Sequence, residues 1–311
     1  MRDWRHNKGF FASLAIPPVA WLLVLFLLPL GGVWLLSFGE NTGLAEVSIT
    51  GTLANYQRAL EPLYLEIMLK SLWIAGATTL ICLIAGFPVA LAIVFARPRA
   101  KTVLLLLVML PFWTNLLIRT YALIAVLRTN GFLNGGLGWV WDGVSAVVGL
   151  LGLGSLAPFQ PLQLLYTDFA VVFGLVYVHL PFMVLPLYAA LERIDRSLIE
   201  ASLDLGAGHL RTMAYVVWPL ALPGIVSGVI VTMVPALGAY LTPDLLGGPS
   251  SQLIANVIER QFKRANDWPF GAALSFLLMY ATFIALFVRS IVARAHGQRG
   301  GGGSSLALPA S

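Results

Sequence analysis

Long uncharged apolar runs constrain the fold of this chain more than any other feature. A helix of roughly 20 residues crosses a hydrocarbon core of about 30 Å. The runs long enough to do so are Gly9–Gly39, Ser71–Ala96, Thr102–Leu127, Phe169–Leu191, Thr212–Pro243 and Trp268–Val288. Only 11% of the 311 residues are charged and 59% are hydrophobic, whereas soluble domains have roughly 25% charged residues. The sequence therefore predicts an all-α integral membrane protein with six transmembrane helices.

One further apolar segment, Gly143–Ala157, does not fit a seventh span. Its sequence, GVSAVVGLLGLGSLA, is short and carries Gly149, Gly152 and Gly154, with Pro158 and Pro161 just beyond. Such a segment is typical of an interfacial or re-entrant element. We predict that it belongs to a periplasmic loop, residues 129–167.

The basic residues indicate how the chain is oriented. With six spans, 12 of the 19 Lys and Arg residues fall on one side of the membrane. They are Arg2, Arg5, Lys8, Arg97, Arg99, Lys101, Arg193, Arg196, Arg211, Arg289, Arg294 and Arg299. Cytoplasmic loops carry an excess of Lys and Arg, so both termini are predicted to be cytoplasmic. The net charge of +5 comes from these scattered groups, and it indicates topology and contact with lipid, not binding of nucleic acid.

This orientation divides the chain into a cytoplasmic N-terminus (residues 1–12), a transmembrane domain (13–294) and a flexible cytoplasmic tail (295–311). The glycine- and serine-rich composition of the tail is typical of flexible segments.

A polar stretch, EASLDLGAGHLRTMAYVVWPLALPG, joins the fourth and fifth spans on the predicted cytoplasmic side. Leu198, Ile199 and Leu203 recur at helical spacing, and Gly206 permits one short helix to end and another to begin. Pro219 and Pro223 follow where the chain enters the membrane and are expected to kink or restart the fifth helix. The spacing alone is equally compatible with a solvated amphipathic loop that has a glycine C-cap.

The same stretch resembles the EAA motif of the permease subunits of ABC importers. The motif reads EAA, three residues, G, nine residues, I, one residue, L, P, and this chain matches that spacing from Glu200 and Ala201 through Gly206 to Pro219. Three positions depart from the pattern, namely Ser202, Val216 and Trp218, and each keeps the size or apolar character of the residue it replaces. The resemblance implies that residues 192–224 form a coupling loop whose helix, with Glu200, Ala201, Ser202, Gly206 and Pro219, docks on a separate ATPase.

Three other segments resemble the permeases of spermidine/putrescine importers, and related permeases for iron, thiamine and phosphonates share parts of them. They are LPFWTNLLIRTYA (Leu110–Ala122), LLYTDFAVVFGLVYVHLPFMVLPLYAALERID (Leu164–Asp195) and GAYLTPDLLGGPSSQLIANVIERQF (Gly238–Phe262). The resemblance implies the type I importer fold, an ATP-binding subunit dimer, a second permease and a periplasmic substrate-binding protein. No G-x-x-x-x-G-K-[ST] motif is present, so ATP and Mg are expected on the partner ATPase, and no cofactor is expected on this non-catalytic chain.

A polyamine pathway requires carboxylates for ammonium groups and aromatic faces for cation–π contacts. The candidates are Asp168, Asp244 and Glu259, with Trp113, Tyr121, Tyr177 and Tyr240. Aromatic residues near the ends of spans also serve as interface anchors, so each has a second interpretation. Arg119 lies inside a span, where a guanidinium needs a partner or a wet cavity. It would repel a cationic substrate, and we predict a gating or structural role.

A secondary transporter is the alternative class. Such proteins usually show internal repeats around a midplane site, and no convincing repeat is present here. The four histidines are too dispersed for a recognisable metal site. An ATP-driven importer permease is therefore the preferred interpretation.

Overall fold

The computed structural model describes residues 8–43, 46–151 and 157–300, and these residues are mainly helical. They fall into two compact units, one containing the residues up to Leu65 and from Ile258 onward, and the other spanning Glu66–Val257. The helical segments long and apolar enough to cross a membrane are Ala12–Leu36, Pro62–Phe95, Leu116–Leu150, Asp168–Leu191 and His209–Leu237. A shorter apolar helical stretch covers Trp268–Ile284.

The described helices, in chain order, are α1 (Lys8–Leu22), α2 (Leu28–Leu36), α3 (Ala54–Ala59), α4 (Pro62–Phe95), α5 (Pro98–Met109), α6 (Leu116–Leu127), α7 (Phe132–Leu150), α8 (Asp168–Leu191), α9 (Arg196–Asp204), α10 (His209–Thr212), α11 (Trp218–Leu237), α12 (Leu241–Leu246), α13 (Ile254–Lys263) and α14 (Trp268–Gly300). Two short strands, β1 (Gly39–Asn41) and β2 (Val47–Ile49), pair antiparallel.

Within the first unit, an ion pair fastens the β1–β2 hairpin and α3 to the start of α14. Arg58 Nη1 lies 2.8 Å from Asp267 Oδ2, and its guanidinium carbon lies 3.9 Å from the ring centroid of Phe270. Asn41 Nδ2 donates to Asp267 Oδ1 at 3.3 Å. One carboxylate therefore connects three segments that are distant in sequence.

Two π-helical segments mark the places where prolines enter spans. Leu23–Leu27 precedes α2, and Met213–Val217 precedes α11. In each case a proline, Pro29 or Pro219, follows two residues after the π segment. Proline has no N–H and clashes with the carbonyl four residues earlier, and a π turn relieves both by widening the helix. The predicted perturbation at Pro219 thus takes the form of a π bulge.

The prediction of one continuous helix for the third span, Thr102–Leu127, was wrong. The chain instead forms α5, a 3-10 turn at Leu110–Trp113, and α6. Pro111 lies in this turn, and the Asn115 side chain accepts a hydrogen bond from the Leu117 N–H at 2.8 Å to start α6. A new N-cap within an apolar run therefore divides the span.

Other boundaries also differ from the sequence-based prediction. The second span begins at Pro62, not at Ser71, and the fifth ends at Leu237, not at Pro243, with Leu241–Leu246 forming the separate helix α12. In the predicted interfacial segment, the residues up to Leu150, including Gly149, continue α7, and residues 152–156 lie outside the described residues. Helix α14 continues through residues 295–300 of the predicted flexible tail, and 301–311 lie outside the described residues.

The second unit has its core between α8 and α11. Buried Met183, Val184 and Leu187 of α8 pack in one cluster with Ala221 and Ile225 of α11. Gly224 and Gly228 lie four residues apart on α11, a spacing that permits close helix packing in membranes. A Cβ on Gly224 would lie 2.9 Å from the Pro186 carbonyl oxygen, and one on Gly228 would lie 2.7 Å from Met183 Sδ.

We predict that Gly224→Ala destabilises the chain by about 1–3 kcal/mol, because the added methyl group overfills the contact with the Pro186 carbonyl. Gly228→Ala should cost less, because the flexible end of Met183 can move away. Gly76→Ala on α4 is the matched control, since nothing lies within 4 Å of its Cβ position. Thermal unfolding in detergent should show lower midpoints for the α11 variants and an unchanged or raised midpoint for Gly76→Ala. Equal midpoints for all three would show that the close contact is unimportant.

Candidate functional site

The predicted coupling loop contains a short helix, α9, with defined caps at both ends. The Asp195 side chain accepts a hydrogen bond from the Ser197 N–H at 3.0 Å, and this bond holds the pKa of the carboxyl below its ordinary value. At the other end, the Ala207 N–H donates to the Ser202 carbonyl and the Gly206 N–H donates to the Leu203 carbonyl, at 3.1 and 2.9 Å. Gly206 has a φ of 85°. The two hydrogen bonds and this angle define a Schellman turn, in which one residue adopts the left-handed backbone conformation.

One side of α9 faces the core of the second unit, to which the helix belongs, and the other side is exposed. Ile199 packs against the α8–α11 core, whereas Glu200 and Ala201 are exposed. Leu205 and Leu210 are 88% and 87% exposed. An exposed apolar patch beside an exposed acidic helix face is typical of a protein interaction surface.

Hydroxyl groups connect α9 to the start of the fifth span. Ser202 Oγ and Thr212 Oγ1 are 3.0 Å apart and share a hydrogen bond. Thr212 is buried at 4% exposure, and Pro219 follows beyond the π segment with an exposed ring. Sequence reasoning identified Ser202 as a small residue but missed Thr212, because no spacing rule links positions across a turn.

A second connection, also missed from the sequence, joins α5 to the end of α8. Lys101 Nζ lies 2.6 Å from Glu192 Oε1 and the ammonium is 5.6 Å from the ring centroid of Tyr188. The pair lies next to the predicted cytoplasmic turn between α4 and α5. Because both side chains are partly exposed, water and salt screen the pair and its contribution to stability is small.

Arg119 lies at the break in the third span and is only 9% exposed. Its Nη2 donates to the carbonyl oxygens of Pro111 and Thr114, the latter at 3.0 Å, and its Nε donates to Thr114 Oγ1 at 3.4 Å. The guanidinium carbon is 5.7 Å from the ring centroid of Tyr177. Arg119 therefore satisfies backbone carbonyls near the break between α5 and α6.

The aromatic pathway candidates differ in their surroundings. Trp113 is 78% exposed in the 3-10 turn, and Tyr121 and Tyr177 are exposed on α6 and α8. Tyr240 is exposed at the start of α12, and its carbonyl accepts a hydrogen bond from Asn256 Nδ2 at 2.8 Å. Of these residues, the structure brings Tyr177 close to Arg119.

The three candidate carboxylates are distributed over three helices. Asp168 Oδ1 at the start of α8 lies 2.9 Å from Lys70 Nζ, and Glu259 Oε1 on α13 lies 3.0 Å from Lys263 Nζ. Asp244 lies in the first turn of α12 and is exposed. The described contacts do not assemble these carboxylates into one cluster.

We predict that Arg119→Leu destabilises the chain by about 1–3 kcal/mol, because it removes the hydrogen bonds that the buried guanidinium donates to the Pro111 and Thr114 carbonyls and to Thr114 Oγ1. Arg119→Lys keeps the positive charge and can still donate a hydrogen bond, so its stability should fall less. Thermal unfolding in detergent measures both effects. The matched control is Arg128→Leu, which removes an exposed arginine from the end of α6 and should change stability by less than about 0.5 kcal/mol. Equal losses for Arg119→Leu and Arg128→Leu would contradict the carbonyl-bonding role.

Comparison with known proteins finds close relatives over almost the full length. The chain is 41% identical over 270 residues to the spermidine/putrescine transport system permease protein PotB of Escherichia coli (strain K12), covering 87% of this chain and 93% of the relative. It is 38% identical to the PotB protein of Haemophilus influenzae, covering 91% and 93%. The predicted resemblance to spermidine/putrescine permeases is thus confirmed.

Solved structures confirm the predicted importer permease fold, while the count of six spans and the placement of the coupling helix stay predictions. A bacterial ABC transporter that imports the acidic polysaccharide alginate has a chain that matches with a TM-score of 0.65 and 16% identity, over 94% of this chain and 98% of that chain. The alginate transporter in complex with a pentasaccharide-bound periplasmic protein matches with a TM-score of 0.68 and 17% identity, over 95% and 98%. At this level of identity the likeness shows the fold.

A family model described as "Binding-protein-dependent transport system inner membrane component" matches residues 83–298. This range includes the coupling loop, the broken third span after α4, and most of α14. The match covers more than half of the chain. The chain belongs to the family of inner membrane components of binding-protein-dependent transport systems.

Proposed function

We propose that this chain is the permease subunit of an ATP-driven importer and that, with a second homologous permease, it forms the membrane pathway for polyamines such as spermidine and putrescine. The observation that carries the proposal is the 41% identity to a spermidine/putrescine permease over 87% of the chain. A periplasmic binding protein delivers the substrate, in agreement with the family to which the chain belongs.

ATP hydrolysis takes place on a separate ATP-binding subunit dimer, which holds ATP and Mg. The exposed face of α9, with Glu200, Ala201 and Leu205, is the proposed docking surface for that subunit. Small and apolar exposed residues permit close approach of a second protein, and the Schellman turn at Gly206 fixes the direction in which the helix ends. The excess of Lys and Arg on this side supports a cytoplasmic location for α9 and both termini.

The proposed substrate fits the chemistry of the exposed aromatic residues. A polyamine carries several ammonium groups on a methylene chain, and the exposed Trp113 and Tyr121 offer ring faces for cation–π contacts of about 0.5–2 kcal/mol each. The ring of Tyr177 lies near the Arg119 guanidinium instead. The charge of Arg119 is directed to backbone carbonyls. Arg119 therefore has a structural role at the backbone. The proposed contacts between substrate and aromatic rings are weak, so they do not trap the substrate in the pathway.

We predict that the cognate periplasmic binding protein binds putrescine, spermidine or a similar organic amine with a Kd of about 1 μM or tighter, equivalent to about −8 kcal/mol. Titration calorimetry measures this, and 1,4-butanediol is the matched control because it has the chain length of putrescine without its charges. Binding of only ferric iron, an anion or a sugar would contradict the polyamine assignment while leaving the importer assignment intact.

A second prediction tests the docking helix. Gly206→Asp should abolish uptake and the stimulation of ATP hydrolysis by the binding protein, because a side chain at a φ of 85° is strained and displaces the end of α9. Membrane levels should stay normal, because insertion depends on the apolar spans. Proteoliposomes containing the complete complex provide both readouts.

Gly208→Asp is the matched control for that experiment. It adds the same charge two residues later, where the backbone is extended with a φ of −72° and nothing lies within 4 Å of the Cβ position. Asp is also a favourable N-cap for α10. Wild-type coupling in an assembled Gly206→Asp complex would show that this stretch is only a solvated loop.

A further inference from the structure

The docking helix α9 is held on its two sides in different ways. Toward the fifth span it packs mainly against α10 and the π segment, and Ser202 Oγ is hydrogen-bonded to Thr212 Oγ1 at 3.0 Å. The Schellman turn between these two residues fixes the path of the connecting chain. This side of α9 is therefore joined by directional bonds.

Toward α4 and α8 the packing is incomplete. A cavity of about 60 Å³ lies between Ile199 of α9, Val94 and Phe95 at the end of α4, Leu191 of α8 and Val217. Glu192 and Arg196 also line this space, which exceeds the minimum that one water molecule occupies. Among the described residues, no hydrogen bond joins α9 to α4 or α8 across it, whereas Ser202 and Thr212 share one on the other side.

We propose that Ser202 and Thr212 are a positioning pair that makes α9 move together with the fifth span. The inference rests on the proposed function, because it assumes that α9 docks on the ATPase. Displacement of α9 then enters α11 through Thr212, which immediately precedes the π segment. The pair uses one position at which this chain departs from the EAA pattern, since an alanine at 202 has no hydroxyl.

The burial of Thr212 makes this hydrogen bond effective. Thr212 is 4% exposed and Ser202 is partly buried, so water competes poorly for either hydroxyl. If one hydroxyl is removed, the other loses its hydrogen-bond partner. The net free energy of one such bond corresponds to a change of about 2- to 10-fold in the equilibrium between the bonded and separated arrangements of α9 and the fifth span.

The experiment is a double-mutant cycle in proteoliposomes that contain the complete complex with its binding protein. Ser202→Ala, Thr212→Val and the double variant are compared by the ratio of stimulated to unstimulated ATP hydrolysis, each normalised to the amount of assembled complex. We expect each single variant to lower the ratio about 2- to 10-fold, and the double variant to be no lower than the worse single variant, because both remove the same bond.

Two further variants separate this role from a general structural effect. Thr212→Ser keeps the hydroxyl and should retain the ratio within about twofold. Thr102→Val removes a hydroxyl that is bonded within its own helix, to the Pro98 carbonyl at 3.3 Å, and should leave the ratio unchanged.

The outcomes distinguish the inference from the proposed function. A wild-type ratio in the double variant, or a double variant equal to the product of the two singles, overturns the pairing. If Gly206→Asp abolishes stimulation while Ser202→Ala and Thr212→Val do not change it, the docking role stands and the positioning role fails. If Gly206→Asp also keeps the wild-type ratio, both fail.

Discussion

The direct packing of α11 against α8 at Gly224 and Gly228 is the interaction on which the second unit depends. Lipid chains are as apolar as leucine side chains, so helices in a membrane associate through close van der Waals contact and not through the hydrophobic effect. The absence of side chains at these glycines lets α11 approach the Pro186 carbonyl and Met183. Because α8 and α11 are joined in sequence by α9 and α10, this packing also fixes both ends of the coupling loop.

The same membrane environment explains the irregular helices. An unpaired N–H or carbonyl costs several kcal/mol in hydrocarbon, so each break needs a local remedy. Where Pro219 removes an N–H, the remedy is a π turn. Where the third span breaks near Pro111, the remedies are the Asn115 cap and the Arg119 guanidinium. Arg119 is thus a positive charge in an apolar region whose guanidinium is hydrogen-bonded to backbone carbonyls and to the Thr114 hydroxyl at the break.

The coupling loop is linked to the fifth span by a hydrogen bond across a turn. Ser202 and Thr212 share this bond, while a small cavity lined by both apolar and charged side chains lies between α9 and the ends of α4 and α8. The link depends on the whole loop, including the turn at Gly206 and the π segment, and not on the EAA residues alone.

The sequence by itself determined the membrane class, the span at Asp168–Leu191, the helical pattern of the coupling loop and the turn at Gly206. These features follow from hydropathy, helical spacing and the left-handed preference of glycine, all of which act between residues close in the chain. Only the tertiary structure decided that Arg119 bonds to carbonyls, that Lys101 pairs with Glu192 and that Ser202 meets Thr212. Each of these depends on which segments fold next to each other, and composition and spacing carry no record of that proximity.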